Sequence, residues 1–101
     1  MLNVEKKTEN GALYLTLEGE LDTLTSRNFE AELEPLLADA ASVTLDFEKL
    51  EYISSAGLRV LLAAEQAMEE KGAEQVRVSK MNDTIRHIFE ITGFDDILSL
   101  E

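Results

Sequence analysis

Apolar and polar residues alternate along "LNVEKK" and more strongly along "ALYLTLEG", where Leu13, Leu15 and Leu17 share one parity. A period of two belongs to a strand with one face buried, so two strands are predicted. Asn10-Gly11 stands between them. That dipeptide readily adopts the positive φ angles of a tight turn, and the strands are expected to pair as an antiparallel hairpin. From Thr25 the period lengthens: Phe29, Leu33, Leu36, Leu37 and Ala40 recur at three- and four-residue steps, with Glu30, Glu32 and Glu34 between them. This is the pattern of an amphipathic helix. Pro35 falls inside it, lacks an amide proton and crowds the carbonyl of Ala31, so a kink or an early end is expected there.

Alternation returns in "SVTLDF" through Val43, Leu45 and Phe47. After "YISSAGLRVLL" the helical spacing resumes with Leu58, Leu61, Leu62 and Met68, so the order is strand, loop, helix. Lys71 and Gly72 supply a cation and a flexible residue where that helix should stop. "QVRVS" reads as a strand. "NDTIRHIFEITG" reads as a helix with Asn82 or Asp83 as N-cap and Gly93 as C-cap, and Phe94 is placed to pack back on its last turn. "ILSLE" reads as a short edge strand. Strands alternating with helices require parallel neighbours joined by right-handed crossovers. The expected fold is α/β: a single domain over residues 1–101, with a mixed central sheet, an N-terminal antiparallel hairpin, and helices packed on the sheet.

A length of 101 residues suits one small domain with one core. No apolar run approaches the ~20 residues of a bilayer span, and "MLNVEKKTEN" lacks the apolar stretch of a signal peptide, so a cytoplasmic protein is expected. The net charge of −12, from 21 acidic and 9 basic residues spread along the chain, repels phosphate backbones and anionic lipid heads. Neither a nucleic acid nor a membrane is expected as partner; a solvated surface or a basic protein partner fits. With no cysteine and a single histidine, His87, neither thiol chemistry nor a metal site is expected.

The candidate chemistry centres on Ser54 and Ser55. A hydroxyl at a strand-to-helix junction suits a cap, a nucleophile or a modification site. The nucleophile elbow has glycine two positions on either side of its serine, but Ser55 has Ile53 before it and Gly57 after it. His87, the one available base, reads as a helix-end cation. Gly11, Gly19, Gly57, Gly72 and Gly93 build neither phosphate-loop pattern, so no enzyme activity and no cofactor are expected. Ser55 as N-cap would accept from the amide of Gly57 or Leu58. The same helix start also accommodates a phosphate, because its amide groups are free and carry partial positive charge. Glu20 and Asp22 in "GELD" end the second strand. In a parallel sheet such loops converge on one edge, so Asp22 and Ser55 are expected close together, with Asp22, or Thr25 beside it, capping the first helix.

"GELDTLT", "VTLDFEKLEYISSAGLRVLL" and "ITGFDDIL" resemble, in order and spacing and over nearly the whole chain, the STAS-domain anti-sigma factor antagonists. The resemblance implies a bacterial switch. The unmodified domain, a monomer when free, binds an anti-sigma factor that is also a serine kinase and so releases a sigma factor for transcription. Phosphorylation of one serine ends the binding, and a serine phosphatase reverses it. In the family's pattern the acceptor lies two residues before glycine, which selects Ser55 through Gly57. Ser54 stands where many members have aspartate, and Asp22 matches the aspartate of the family motif, with Thr23 beside it. The partner surface implied is Asp22, Thr23, Ser54, Ser55, Gly57, Leu58 and Arg59, with Leu58 either an apolar contact or a core residue. Many members continue into a further C-terminal helix, and with Glu101 last, less cover on the sheet is expected. The alternative is a non-phosphorylated STAS subunit of a lipid-transport ABC system or a signalling scaffold.

Overall fold

Asn10 (φ 53°) and Gly11 (φ 84°) form a two-residue turn with both central residues at positive φ. The turn joins β1 (Leu2–Glu9) to β2 (Ala12–Leu21), antiparallel with Glu9 opposite Ala12. The computed structural model describes residues 1–101. The chain continues through α1 (Thr23–Asp39), β3 (Ser42–Ile53), α2 (Ser55–Glu70), β4 (Arg77–Ser79), α3 (Asp83–Thr92), the short α4 (Phe94–Ile97) and β5 (Ser99–Leu100). The sheet order is β1-β2-β3-β4-β5, with every pair after the first parallel.

Each parallel crossover moves one place in the same direction, and right-handed crossovers then put the intervening helices on one face. That face buries Leu13, Leu15 and Leu17 of β2 and Val43, Leu45 and Phe47 of β3. They meet Phe29, Leu33 and Leu37 of α1, Leu61 and Met68 of α2, and Ile85 and Phe89 of α3 in one continuous core. Lys7, Tyr14, Thr44, Arg77 and Ser99 are aligned across the five strands at the intervening parity. The period of two in the sequence is thus the signature of a sheet covered on one side. No helix is long and apolar enough to cross a membrane.

Pro35 does not end α1, which runs four residues past it to Asp39. Tertiary bonding supports the turn beyond it. The Lys71 ammonium donates to the carbonyls of Leu37 (2.7 Å), Ala38 (3.1 Å) and Ala40 (2.7 Å), satisfying the otherwise open end of α1. Lys71 was expected to serve its own helix; it is the C-cap residue of α2, followed by Gly72 at φ 72°, but its charge serves the neighbouring one. Lys71→Met is expected to cost about 1 to 2 kcal/mol, because charge-assisted hydrogen bonds to three carbonyls are lost. A lower urea midpoint with an unchanged slope is the measurement, and an unchanged midpoint would show that water replaces the ammonium freely.

The "QVRVS" strand is shorter than expected, because the Val76 amide donates to the buried Glu65 carboxylate (2.8 Å) instead of to a strand. At the other end of the domain the caps of α3 are as expected. Asn82 accepts from the Ile85 amide (2.8 Å), Gly93 takes the left-handed position at φ 80°, and Phe94 stacks on Phe89 at 6.1 Å.

Candidate functional site

Leu21 and Ile53 are register partners at the carboxyl ends of β2 and β3, and the Ser54 amide donates to the Leu21 carbonyl at 2.9 Å. Asp22-Thr23 and Ser54-Ser55 therefore leave the sheet side by side, as the convergence of parallel strand ends requires. Asp22 is the N-cap of α1. Its Oδ1 accepts from the amides of Leu24 (3.0 Å) and Thr25 (2.9 Å), while the Asp22 amide donates to Thr25 Oγ1 (2.9 Å). The two candidates for this cap thus work together in one reciprocal box.

The Thr25 amide is the main cause holding the Asp22 carboxyl below its ordinary value of 3.8; partial burial opposes it, and the Thr25 hydroxyl, the Leu24 amide and the terminal ammonium add to it. A depressed folded pKa contributes stability that is complete above the unfolded pKa and is lost as pH falls through the folded one. Wild type is therefore expected to show a urea-midpoint advantage over Asp22→Asn that is flat above about pH 5 and narrows below it. A constant difference down to about pH 2.5 would contradict the assignment.

The cap of α2 is Ser54, not Ser55. Ser54 is extended (φ −96°, ψ 175°), and its Oγ accepts from the Gly57 amide at 3.3 Å, so the helix begins one residue later. The reason lies in the sheet: the bond to Leu21 holds Ser54 in strand geometry, the backbone state a cap needs. Ser55 is exposed, and its side chain makes no hydrogen bond within the chain. The adjacent hydroxyls divide the work, one closing the helix and one left free. Ser54→Ala is expected to cost about 0.5 to 2 kcal/mol. Ser55→Ala should stay within about 0.5 kcal/mol of wild type. Thermal melts of both check this, and a reversed order would return the cap to Ser55.

Gly57 is buried where α2 crosses the ends of β2 and β3. A Cβ there would lie 2.8 Å from Ile53 Cγ1 and 2.9 Å from both Leu21 Cγ and the Leu21 carbonyl oxygen. Leu58 is 9% exposed and belongs to the core, so of its two weighed roles packing is the one the burial describes. Thr23 and Arg59 are exposed, and with Ser26, Arg27, Glu30 and Ala56 they line a cleft of about 340 Å³ between α1 and α2.

Leu24, 81% exposed beside Thr23, and Tyr52, 47% exposed ahead of Ser54, add apolar surface that the sequence reading missed. Leu24 was findable, since it lies five residues before Phe29, off the apolar stripe of α1. His87 is exposed in the middle of α3 rather than at a helix end. No three His, Cys, Asp or Glu side chains gather as metal ligands.

A family model described as "Mlab, STAS domain" matches residues 4–100. Among named relatives, the provisionally described anti-sigma factor antagonist BtrV of Bordetella bronchiseptica is 35% identical over 86 residues, covering 84% of this chain and 73% of that protein. The anti-sigma-B factor antagonist of Staphylococcus aureus is 29% identical over 98 residues, covering 96% and 90%. The anti-sigma factor antagonist SpoIIAA in its unphosphorylated form superposes with a TM-score of 0.84 at 17% identity, covering 100% of this chain and 88% of the other. The phosphorylated form of this Bacillus protein gives 0.77, covering 100% and 91%, again at 17% identity. These two structures share the fold.

Proposed function

The chain belongs to the STAS domain family, and from that premise we propose that it is a bacterial, cytoplasmic anti-sigma factor antagonist switched at Ser55. Unphosphorylated and monomeric, it binds an anti-sigma factor that is also a serine kinase, and so releases a sigma factor. In the modification, Ser55 Oγ attacks the γ-phosphorus of ATP, the bond to the ADP oxygen breaks, and the hydroxyl proton passes to a base on the kinase. A serine phosphatase restores the hydroxyl by hydrolysis. The chain supplies the acceptor and no catalytic group, so it is a binding module rather than an enzyme.

The observation that carries this reading is the free Ser55 hydroxyl on the first residue of α2, beside the Asp22 loop, while Ser54 does the capping. Within the expected partner surface, Thr23, Ser55 and Arg59 make contact, joined by Leu24. Asp22 and Ser54 fix the two helix starts, and Gly57 and Leu58 seat α2 against the sheet. The test is phosphate mapping on protein isolated from its host, together with transfer from ATP by an anti-sigma factor kinase of that host. Phosphate on Ser55 alone is expected; an unmodified chain that fails to bind that kinase would defeat the proposal.

A second reading, a STAS subunit of a lipid-transport ABC system or a scaffold that is never phosphorylated, draws on two observations. The matching family model is named for Mlab rather than for an antagonist, and Ser54 replaces the aspartate expected before the acceptor. Co-purification with a permease instead of a kinase would favour it.

A further inference from the structure

Five of the nine cations of this acidic chain are engaged; of the other four, Lys6 and Lys49 stand apart from each other on β1 and β3, whereas Arg27 and Arg59 line one cleft. Lys7, Arg77 and Lys80 pair with Glu9, Glu74 and Asp46, while Lys71 and Arg86 donate to carbonyls. Arg27 and Arg59 have neither an ion pair nor a side-chain hydrogen bond within the chain, although 21 acidic residues are available to them. Both line the cleft between α1 and α2. Two unpartnered guanidinium groups there make a local positive field on a molecule of net charge −12. Ser26 adds an independent sign of the same polarity. It lines this cleft, is 3% exposed, and its Oγ has no hydrogen-bond partner, leaving an unsatisfied donor beside the arginines.

Ser55 is not itself on the cleft lining but adjoins Ala56, which is, and it precedes Arg59 by four residues on α2, so the two side chains rise from one face of the helix at the rim of the cleft. We propose that the α1/α2 cleft is a phosphoryl-binding site whose ligand is the phosphate carried by Ser55, held by Arg59 from the same helix and by Arg27 from α1. The inference rests on the reading of Ser55 as the phosphorylated residue and adds where its phosphate goes. A phosphate dianion at this position meets the open amides at the start of α2 on one side and two planar, bidentate cations on the other. Glu30 is the carboxylate on the cleft lining, and Asp22, beside Ser55 on the neighbouring loop, is engaged by the amides of Leu24 and Thr25. Phosphorylation then does more than add bulk, because it occupies the cleft and takes Arg59 out of the partner surface.

The test places phosphoserine at position 55 during translation, so that no kinase is needed and the outcome is independent of whether the host phosphorylates this residue. The second ionisation of the phosphate, ordinarily near pH 6, is followed by ³¹P NMR in the wild-type background, in Arg59→Gln and in Arg27→Gln. Circular dichroism confirms that each is folded. The helix amides are common to all three, so differences report the arginines. The expected result is a wild-type midpoint lower than that of each variant by about 0.3 to 1 pH unit, because each cation favours the dianion. Equal midpoints for wild type and Arg59→Gln overturn the site, and so does a midpoint that Arg27→Gln leaves unmoved.

Discussion

Ser55→Asp is expected to remain folded and to lose its kinase partner, whereas Ser55→Ala keeps the partner and accepts no phosphate. The structure separates these effects because Ser54 caps α2, so neither substitution at Ser55 removes a structural bond. A carboxylate on the first residue of the helix meets partial positive charge, worth about 0.3 to 1 kcal/mol in its favour, so the melting temperature should hold or rise. At the proposed interface the same charge replaces the neutral hydroxyl, and its pairing with Arg59 would withdraw that arginine from the partner. Like-charge or uncompensated contacts there cost several kcal/mol, so an affinity loss of more than about tenfold is expected. Calorimetric titration of wild type, Ser55→Ala and Ser55→Asp against the kinase, beside melts of each, measures both quantities. Equal affinity for all three, with wild type unmodified by kinase and ATP, would leave Ser55 without a switching role.

Gly57→Ala is expected to have the largest effect on stability. Two opposing terms decide its sign. Alanine gains about 1 kcal/mol of helix propensity over glycine, but its methyl group would sit 2.8 to 2.9 Å from Ile53 and Leu21, and one of those contacts is the Leu21 carbonyl oxygen. Overpacking of this kind costs about 1 to 3 kcal/mol, and more where a backbone atom must move. The Leu21 carbonyl also accepts the Ser54 amide, so relief of the clash pulls at the bond that holds Ser54 in its capping geometry. A net loss is expected, with a melting temperature about 5 to 15 °C lower at 4 to 8 °C per kcal/mol for a domain of this size. Faster hydrogen exchange at the Ser54 amide should accompany it, along with weaker kinase binding by the folded fraction. A melting temperature at or above wild type would show that α2 can lift off the strand ends without cost, and would remove Gly57 from the set that seats the site.

The strands, the three longer helices and their order follow from local sequence, whereas the short α4 was not expected and takes Ile97 out of the "ILSLE" stretch, leaving Ser99–Leu100 as β5. Periods of two and three to four separate β1, β2 and β3 from α1 and α2, Asn10-Gly11 sets the hairpin register, and Asn82 and Gly93 bound α3. These features are legible because hydrophobic periodicity and turn chemistry act within a few residues of chain. The convergence of parallel strand ends drew Asp22 and Ser55 into one expected site, which the family pattern also implied, and the register pairing of Leu21 with Ile53 sets their two loops side by side.

Other features depend on partners distant in the chain. The turn of α1 that follows Pro35 is held at its end by Lys71, more than thirty residues away. The first strand residues before Arg77 are diverted because Glu65 takes the Val76 amide. The choice between Ser54 and Ser55 as cap turns on a single residue of offset, and adjacent serines have the same propensity for it. The Leu21 carbonyl makes that choice from another strand. Leu58 could be core or contact by its helical spacing, and only its packing against the sheet makes it core. Arg59 was expected on the partner surface, but Arg27 reads as an ordinary surface charge until α1 and α2 pack together and open one cleft to both. The sequence by itself determined the elements, the sheet class and the serine pair, since these are encoded in spacing along the backbone. The tertiary structure alone decided which serine is free and which cations share the α1/α2 cleft, because those depend on bonds and contacts that exist only after strands and helices from distant parts of the chain have met.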